Sequence, residues 1–263
     1  MMPHKMYVAP SGNLSIAWSQ AFCRSMETGV KELCPLIVSV SEFTDGRPVE
    51  HPAIRKRLDQ ELSRHDLNCG TVASTIFPQS LWNQESPDGA DLLFERYERL
   101  WPKIKKCRAN SHGVYFRRLT AFQPKGSRRK VNQLKHVIST YRGGNHRRSA
   151  LMASVFDPTL DHSDSRRLGF PCLHQVTFTP VGKSGLCVTG YYATQYLFER
   201  AYGNYLGLCN LGRFMAHSMG LTLEKMTCIA SVASPGGAKK AEMQKLARDI
   251  QQLTPASVES ESK

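Results

Sequence analysis

Pro171-Cys172-Leu173-His174-Gln175 opens the part of the chain whose pattern decides the fold. From His174 to Pro180 apolar and polar residues alternate, with Val176 and Phe178 on one side. That period of two marks a half-buried strand. Gly182 to Gly185 makes a turn, and Leu186 to Tyr192 alternates again, so 174–192 reads as a β-hairpin. Cys172 stands at its mouth, where a thiol is either a small residue at a strand start or a nucleophile.

Outward from the hairpin, Ala150 to Phe156 is an apolar run expected to form a buried strand that ends at Asp157-Pro158. After it, a long helix is expected from about Thr194 to Ser218, ending before Gly220. Leu223 to Val232 is a further strand, Ser234-Pro235-Gly236-Gly237 breaks it, and Ala238 to Leu253 is a terminal helix. On the N-terminal side, residues 15–28 carry apolar groups at helical spacing and Leu36–Val40 is a β-branched run followed by a turn at Asp45-Gly46. Pro52–Ser63 starts with a proline suited to a first helical turn. Asp91–Lys106 places Leu92, Leu93, Tyr97, Leu100 and Ile104 on one side of a helix, and Val131–Tyr141 is helical too. No linker divides the chain, so residues 1–253 are expected to form one α+β domain, with 254–263 a polar, disordered tail.

The chain has 263 residues, 41% of them hydrophobic, enough for a substantial core. No apolar run reaches the length of a membrane span, and the first residues lack the apolar centre of a signal peptide, so a cytoplasmic protein is expected. The eight cysteines are widely and irregularly spaced with no C-x-x-C pair. That argues against a zinc site or a disulfide framework, and most are expected to be small buried hydrophobes. The net charge is +13. It gathers at Arg117-Arg118 and Lys125 to Lys130, then at Arg142, Arg147-Arg148 and Arg166-Arg167. A nucleic-acid footprint, a pocket for phosphorylated small molecules and a solvated basic face all fit. Phe122 and Tyr141 are the only aromatics between 122 and 148 that could stack on bases, so nucleic acid is weakly supported.

Four features in order, from about Asn145 to Gly220, resemble the thymidylate synthase and deoxycytidylate hydroxymethylase family. An arginine pair, Arg147-Arg148, opens a strand that ends at Asp157-Pro158, where the family has Asn-Pro. Pro171-Cys172 follows, with His174 and Phe178. Next comes the hairpin strand Leu186 to Tyr192, and then a long helix with Asn204 sixteen positions before Gly220. Fainter matches lie upstream in Gly113-Val114-Tyr115, in Trp101 fourteen residues before Tyr115, and in Ser80-Leu81-Trp82. The resemblance implies a single domain with a large mixed sheet flanked by helices. It also implies a homodimer, a pyrimidine nucleotide substrate and 5,10-methylenetetrahydrofolate as one-carbon donor.

By that resemblance Cys172 is the nucleophile. Carbon 5 of a pyrimidine is unreactive until a thiolate adds at carbon 6, which splits one hard step into easier ones. Neighbouring cations stabilise a thiolate, and Arg147, Arg148, Arg166 and Arg167 are candidates. The Arg147-Arg148 pair matches arginines that cross the family's dimer interface to grip the nucleotide phosphate. Arg166-Arg167, nearer the cysteine, is an alternative clamp. Asn204 matches the family's base-reading asparagine and would favour uracil. Trp101 and Tyr115 are candidates to wall the pocket, or are core.

Several residues depart from the family pattern. Its catalytic glutamate aligns with Gln79, which cannot relay protons as a carboxylate can, and Glu85 is a nearby substitute. Leu173 follows the cysteine where the family has His, leaving His174 one position on. The Arg-Ser-x-Asp after the hairpin is Ala193-Thr194-Gln195-Tyr196, which loses a phosphate ligand and the folate-contacting carboxylate. The sugar-holding His-x-Tyr falls at Ser234-Pro235-Gly236. Two readings stay open: a specialised pyrimidine C5 methyl- or hydroxymethyltransferase, or a catalytically degenerate dimer that binds a nucleotide or a partner.

Overall fold

The computed structural model describes residues 6–10, 12–110, 113–164 and 170–254. In chain order it begins β1 (Tyr7–Pro10), α1 (Leu14–Ser25), β2 (Leu36–Val40), the short hairpin β3 (Phe43–Thr44) and β4 (Arg47–Pro48), α2 (Pro52–Ser63) and α3 (Cys69–Ile76). It continues with α4 (Gly89–Lys106), α5 (Tyr115–Thr120), α6 (Gln133–Arg142), β5 (Met152–Ser154), β6 (Leu173–Val181) and β7 (Gly185–Tyr196). A π-helical turn, Leu197–Ala201, leads into α7 (Tyr202–Met219), followed by β8 (Thr222–Ser234) and α8 (Lys240–Leu253).

Six strands form one mixed sheet in the order β1-β2-β8-β7-β6-β5. β1 is parallel to β2 and β7 to β8, and the other pairs are antiparallel. A large mixed sheet flanked by helices is therefore present, with β8 and β7 at its centre and the N-terminal β1 at one edge. Leu36, Val38, Leu186, Val188, Val176 and Phe178 point to the helices and are fully buried. The opposite face is half exposed. On it Val8, Ile37, Ile229, Tyr191, Gln175 and Ser154 stand in register across all six strands.

The hairpin, β2 and α2 lie where the sequence patterns put them. Three expectations need correction. The helix expected from Thr194 starts later, because Thr194, Gln195 and Tyr196 stay in the sheet opposite Val232, Ala233 and Ser234. Ladder pairing with β8 outweighs local helix preference there. The strand expected over 150–156 shrinks to Met152–Ser154: Ala150 lies in a 3₁₀ turn, and the Val155 and Phe156 N–H groups both go to the His174 carbonyl. Of the eight cysteines, only Cys69, Cys209 and Cys228 are buried; Cys23, Cys34, Cys172 and Cys187 are half buried and Cys107 is exposed. Residues 255–263 of the expected tail lie outside the described residues.

Two sets of contacts position the cleft described below. On α1, Trp18 donates its indole N–H to the Leu197 carbonyl (2.8 Å), and Ser15 Oγ meets Tyr202 Oη (2.8 Å). Both groups are buried, so both ends of the π-helical turn are fastened from inside. On α7, Gly203 and Gly207 lie against α3. A Cβ on Gly203 would stand 2.8 Å from the Cys69 carbonyl, and one on Gly207 would stand 2.9 Å from that of Ala73. The two helices approach at backbone distance, which no larger residue permits.

Candidate active site

Cys172 opens onto a cleft of about 380 Å³ between the end of the hairpin, α3, the π-helical turn and the start of α7. Tyr115, Phe170, Thr194, Arg200 and Asn204 line it with the cysteine, and Leu67 and Val72 form an apolar wall. The volume suits one nucleotide-sized ligand, near the lower end of the usual range of about 300–1,000 Å³ for small-molecule sites.

Cys172 is half buried, and Thr194 Oγ1 donates to its Sγ at 3.6 Å. The pairing of the two strands creates this contact: the Ala193 N–H bonds to the Cys172 carbonyl, so Thr194 stands next to the thiol. Tyr115 is the first residue of α5, and its ring stacks on Phe170 at 5.1 Å. Burial pushes its phenol up to about 12, and the nearby thiol adds to this. The backbone N–H groups of Leu173 and Cys172 and the charge of Arg200 pull the other way. Gly113 makes that stacking possible: its φ is +132°, and a Cβ would stand 2.7 Å from the Phe170 ring.

Asn204 is 5% exposed, and its amide has no hydrogen-bond partner among the described residues. A buried amide left open toward a cavity is a reading head for polar edges. Beside it, Gln195 is held still: Tyr205 donates to its Oε1 at 2.9 Å, and its amide reaches Cys228 Sγ at 3.7 Å. Glu199 also lines the cleft, but its Oε1 accepts from the backbone N–H groups of Gly237 (2.7 Å) and Ala238 (3.1 Å). It fastens the start of the C-terminal segment to the cleft rim.

Of the residues singled out from the sequence, Cys172, Tyr115 and Asn204 meet in this cleft; Trp101, His174, Gln79, Glu85, Arg147 and Arg148 do not line it. Trp101 packs on Tyr97 and lies under the Arg117 guanidinium at 4.9 Å, on the outer side of α5. His174 packs on Phe156, the rings tilted by 37° with centroids 4.8 Å apart. Burial pushes its ring below the ordinary histidine range, and Asp161 partly offsets this. Gln79 faces a separate depression with Arg47 and Arg213, because Pro78 ends α3 and turns the chain away; α3 offers Thr75 to the cleft in its place. Glu85 and the Arg147-Arg148 pair are exposed. Arg166 and Arg167 lie outside the described residues. Arg118 is structural, holding both Asp161 oxygens (2.7 and 3.1 Å) and the Val155 carbonyl.

Sequence reading passed over Arg200, Thr194 and Glu199. For Arg200 a signal was available: it lies four residues before Asn204, one helical turn away.

Fold and site together define an α/β protein with a mixed sheet and a thiol-bearing cleft. No family model and no curated protein matches the chain. Among the described residues no helix is long and apolar enough to cross a membrane.

Proposed function

We propose that the cleft is the active site of a pyrimidine-nucleotide C5 one-carbon transferase, built on a thymidylate synthase-like fold. The observation that carries this reading is the meeting of Cys172, Tyr115 and Asn204 in one cavity, although they are far apart in sequence. Nothing in local sequence pattern requires that meeting.

In the proposed reaction the Cys172 thiolate adds to carbon 6 of the base, and the electron pair moves through carbon 5 toward the carbon 4 oxygen. The Thr194 hydroxyl donates to sulfur and favours its charged form. Asn204 offers the base an amide with both donor and acceptor, which matches the edge of uracil. Carbon 5, now nucleophilic, would take the one-carbon unit as the donor's amine nitrogen departs, and water would complete it as hydroxymethyl or a hydride from the reduced donor as methyl. The carbon 5 proton passes to solvent, and its C–H pair re-forms the ring double bond as the sulfur leaves carbon 6 with the electrons of the C–S bond. Tyr115 keeps its proton at neutral pH and is placed as a hydrogen-bond donor beside the thiol.

Methylenetetrahydrofolate would supply the one-carbon unit at the oxidation level of formaldehyde. The cleft fits that group in its stacking surfaces, since Tyr196, 37% exposed, together with Leu67 and Val72, offers flat and apolar contact. Its polar edge meets Tyr196 where the resemblance implies a carboxylate.

We also propose a homodimer joined through the half-exposed sheet face. The adjacent Val8, Ile37, Ile229 and Tyr191 of that face favour an apolar partner. A second copy supplies one and would carry the exposed Arg147-Arg148 pair toward the neighbouring cleft.

A tritium-release assay on 5-tritiated dUMP, dCMP and CMP with methylenetetrahydrofolate tests the reading. Release by the wild type that disappears in Cys172→Ser supports it. No release from any of the three nucleotides, with dUMP still bound, shifts the assignment to a nucleotide-binding module that has lost its chemistry.

A further inference from the structure

Tyr196, Arg200 and Asn204 are spaced four residues apart, and all three line the cleft. Tyr196 is the last residue of β7, Arg200 stands in the π-helical turn that follows, and Asn204 lies in the first turn of α7, about one helical turn beyond Arg200. Along the cleft lining these run from the exposed ring of Tyr196 to the buried amide of Asn204, 5% exposed. Arg200 stands in the middle.

Arg200 is exposed, and among the described residues it makes no ion pair and no side-chain hydrogen bond. The adjacent carboxylate, Glu199, is turned to the Gly237 and Ala238 amides and does not neutralise it. Its position is defined even so, because the turn is anchored by Trp18 at Leu197 and by Ser15 at Tyr202. Its charge is felt at the Tyr115 phenol, which itself lies against the Cys172 backbone.

A guanidinium with open donors suits an oxyanion, since it offers parallel N–H groups to two oxygens. Ala193, at a position where the resemblance implies an arginine, offers nothing to an anion. We propose that Arg200 holds the phosphate of a nucleoside monophosphate whose base lies between Asn204 and Cys172. The inference rests on the reading of the cleft given above. One ribose separates base from phosphate, a span of the same order as the single helical turn from Asn204 to Arg200.

The test is calorimetric titration of dUMP and of deoxyuridine into wild type, Arg200→Gln and Arg200→Lys, with inorganic phosphate as a competitor. The expected result is that Arg200→Gln weakens dUMP binding by about tenfold or more, the loss of one charge-assisted contact. Deoxyuridine should bind wild type and Arg200→Gln within about twofold, Arg200→Lys should recover part of the dUMP affinity, and phosphate should compete only where the cation remains. Unchanged dUMP affinity in Arg200→Gln overturns the proposal, as does an equal loss for nucleoside and nucleotide. A slower alkylation of Cys172 by iodoacetamide with dUMP affinity intact also overturns it, and assigns Arg200 to the thiolate. Failure of the wild type to bind either compound removes the reading of the cleft together with the proposal.

Discussion

The hydroxyl of Thr194 donates to the sulfur of Cys172 at 3.6 Å, across the pair of strands that the hairpin brings together. A single donor of this kind is worth about 1 kcal/mol, or roughly fivefold in an equilibrium. Thr194→Val keeps the shape and removes the donor. Alkylation of Cys172 by iodoacetamide at neutral pH, followed by mass spectrometry, should slow by about threefold to tenfold with no change in fold.

His174 is half buried, packs on Phe156 and lies outside the cleft, so His174→Gln should leave tritium release within about twofold of wild type. The same ring should show itself in stability. Its folded-state value lies below the ordinary 6.5, so the folded form binds fewer protons than the unfolded form. The stabilising effect is complete above about pH 6.5 and is lost as pH falls through the folded value. Urea midpoints between pH 7.5 and 5 should therefore fall more steeply for wild type than for His174→Gln.

Asp59 should give a second, lower window. Burial raises its carboxyl, but the Cys69 N–H and the Arg55 guanidinium outweigh burial and hold it below 3.8. Its contribution is present above about pH 3.8 and disappears as pH falls through the lower folded-state value. Asp59→Asn should flatten that part of the acid unfolding curve followed by circular dichroism, while lowering stability at pH 7.

Gly113→Ala forces a side chain into a positive φ and into the Phe170 ring. A cost of about 1–3 kcal/mol is expected in urea unfolding. Because Tyr115 stacks on the same ring, nucleotide binding should weaken as well.

Ile229 lies in the row that crosses the half-exposed sheet face. Ile229→Arg should leave the subunit folded and shift sedimentation from dimer to monomer. Mixing Cys172→Ser with Arg148→Ala should restore part of the tritium release that each lacks alone, if the arginine of one subunit serves the cleft of the other. Absence of any recovery assigns Arg148 to its own surface.

Much of this architecture was legible in the chain. The alternation on both sides of Gly182–Gly185 located the hairpin, and Pro52 marked the first turn of α2. Cys172 and Asn204 were singled out by the family resemblance of the segments that carry them, and both face the cleft. What stayed hidden depended on distant partners. Thr194 to Tyr196 looked helical until β8 claimed them as a strand, and Gln79 was displaced by the turn that Pro78 imposes at the end of α3. Arg200 follows Glu199 as an ordinary charged pair, and only its spacing of four from Asn204 hinted at the cleft. The arginine pairs drew notice because they are adjacent, which says nothing about which cavity a side chain reaches.

The glycines of α7 set a limit on how this cleft can change. With Gly203 and Gly207 resting on the carbonyls of α3, Asn204 has a rigid backstop. Remodelling for a larger or differently shaped ligand must come from the front, by trimming Val72 or Leu67 or by altering the turn that carries Arg200. A bulkier residue behind the asparagine would drive it forward into the cavity. Variants selected for new substrates should therefore accumulate on the walls and rim of the cavity, and leave the helix behind it untouched.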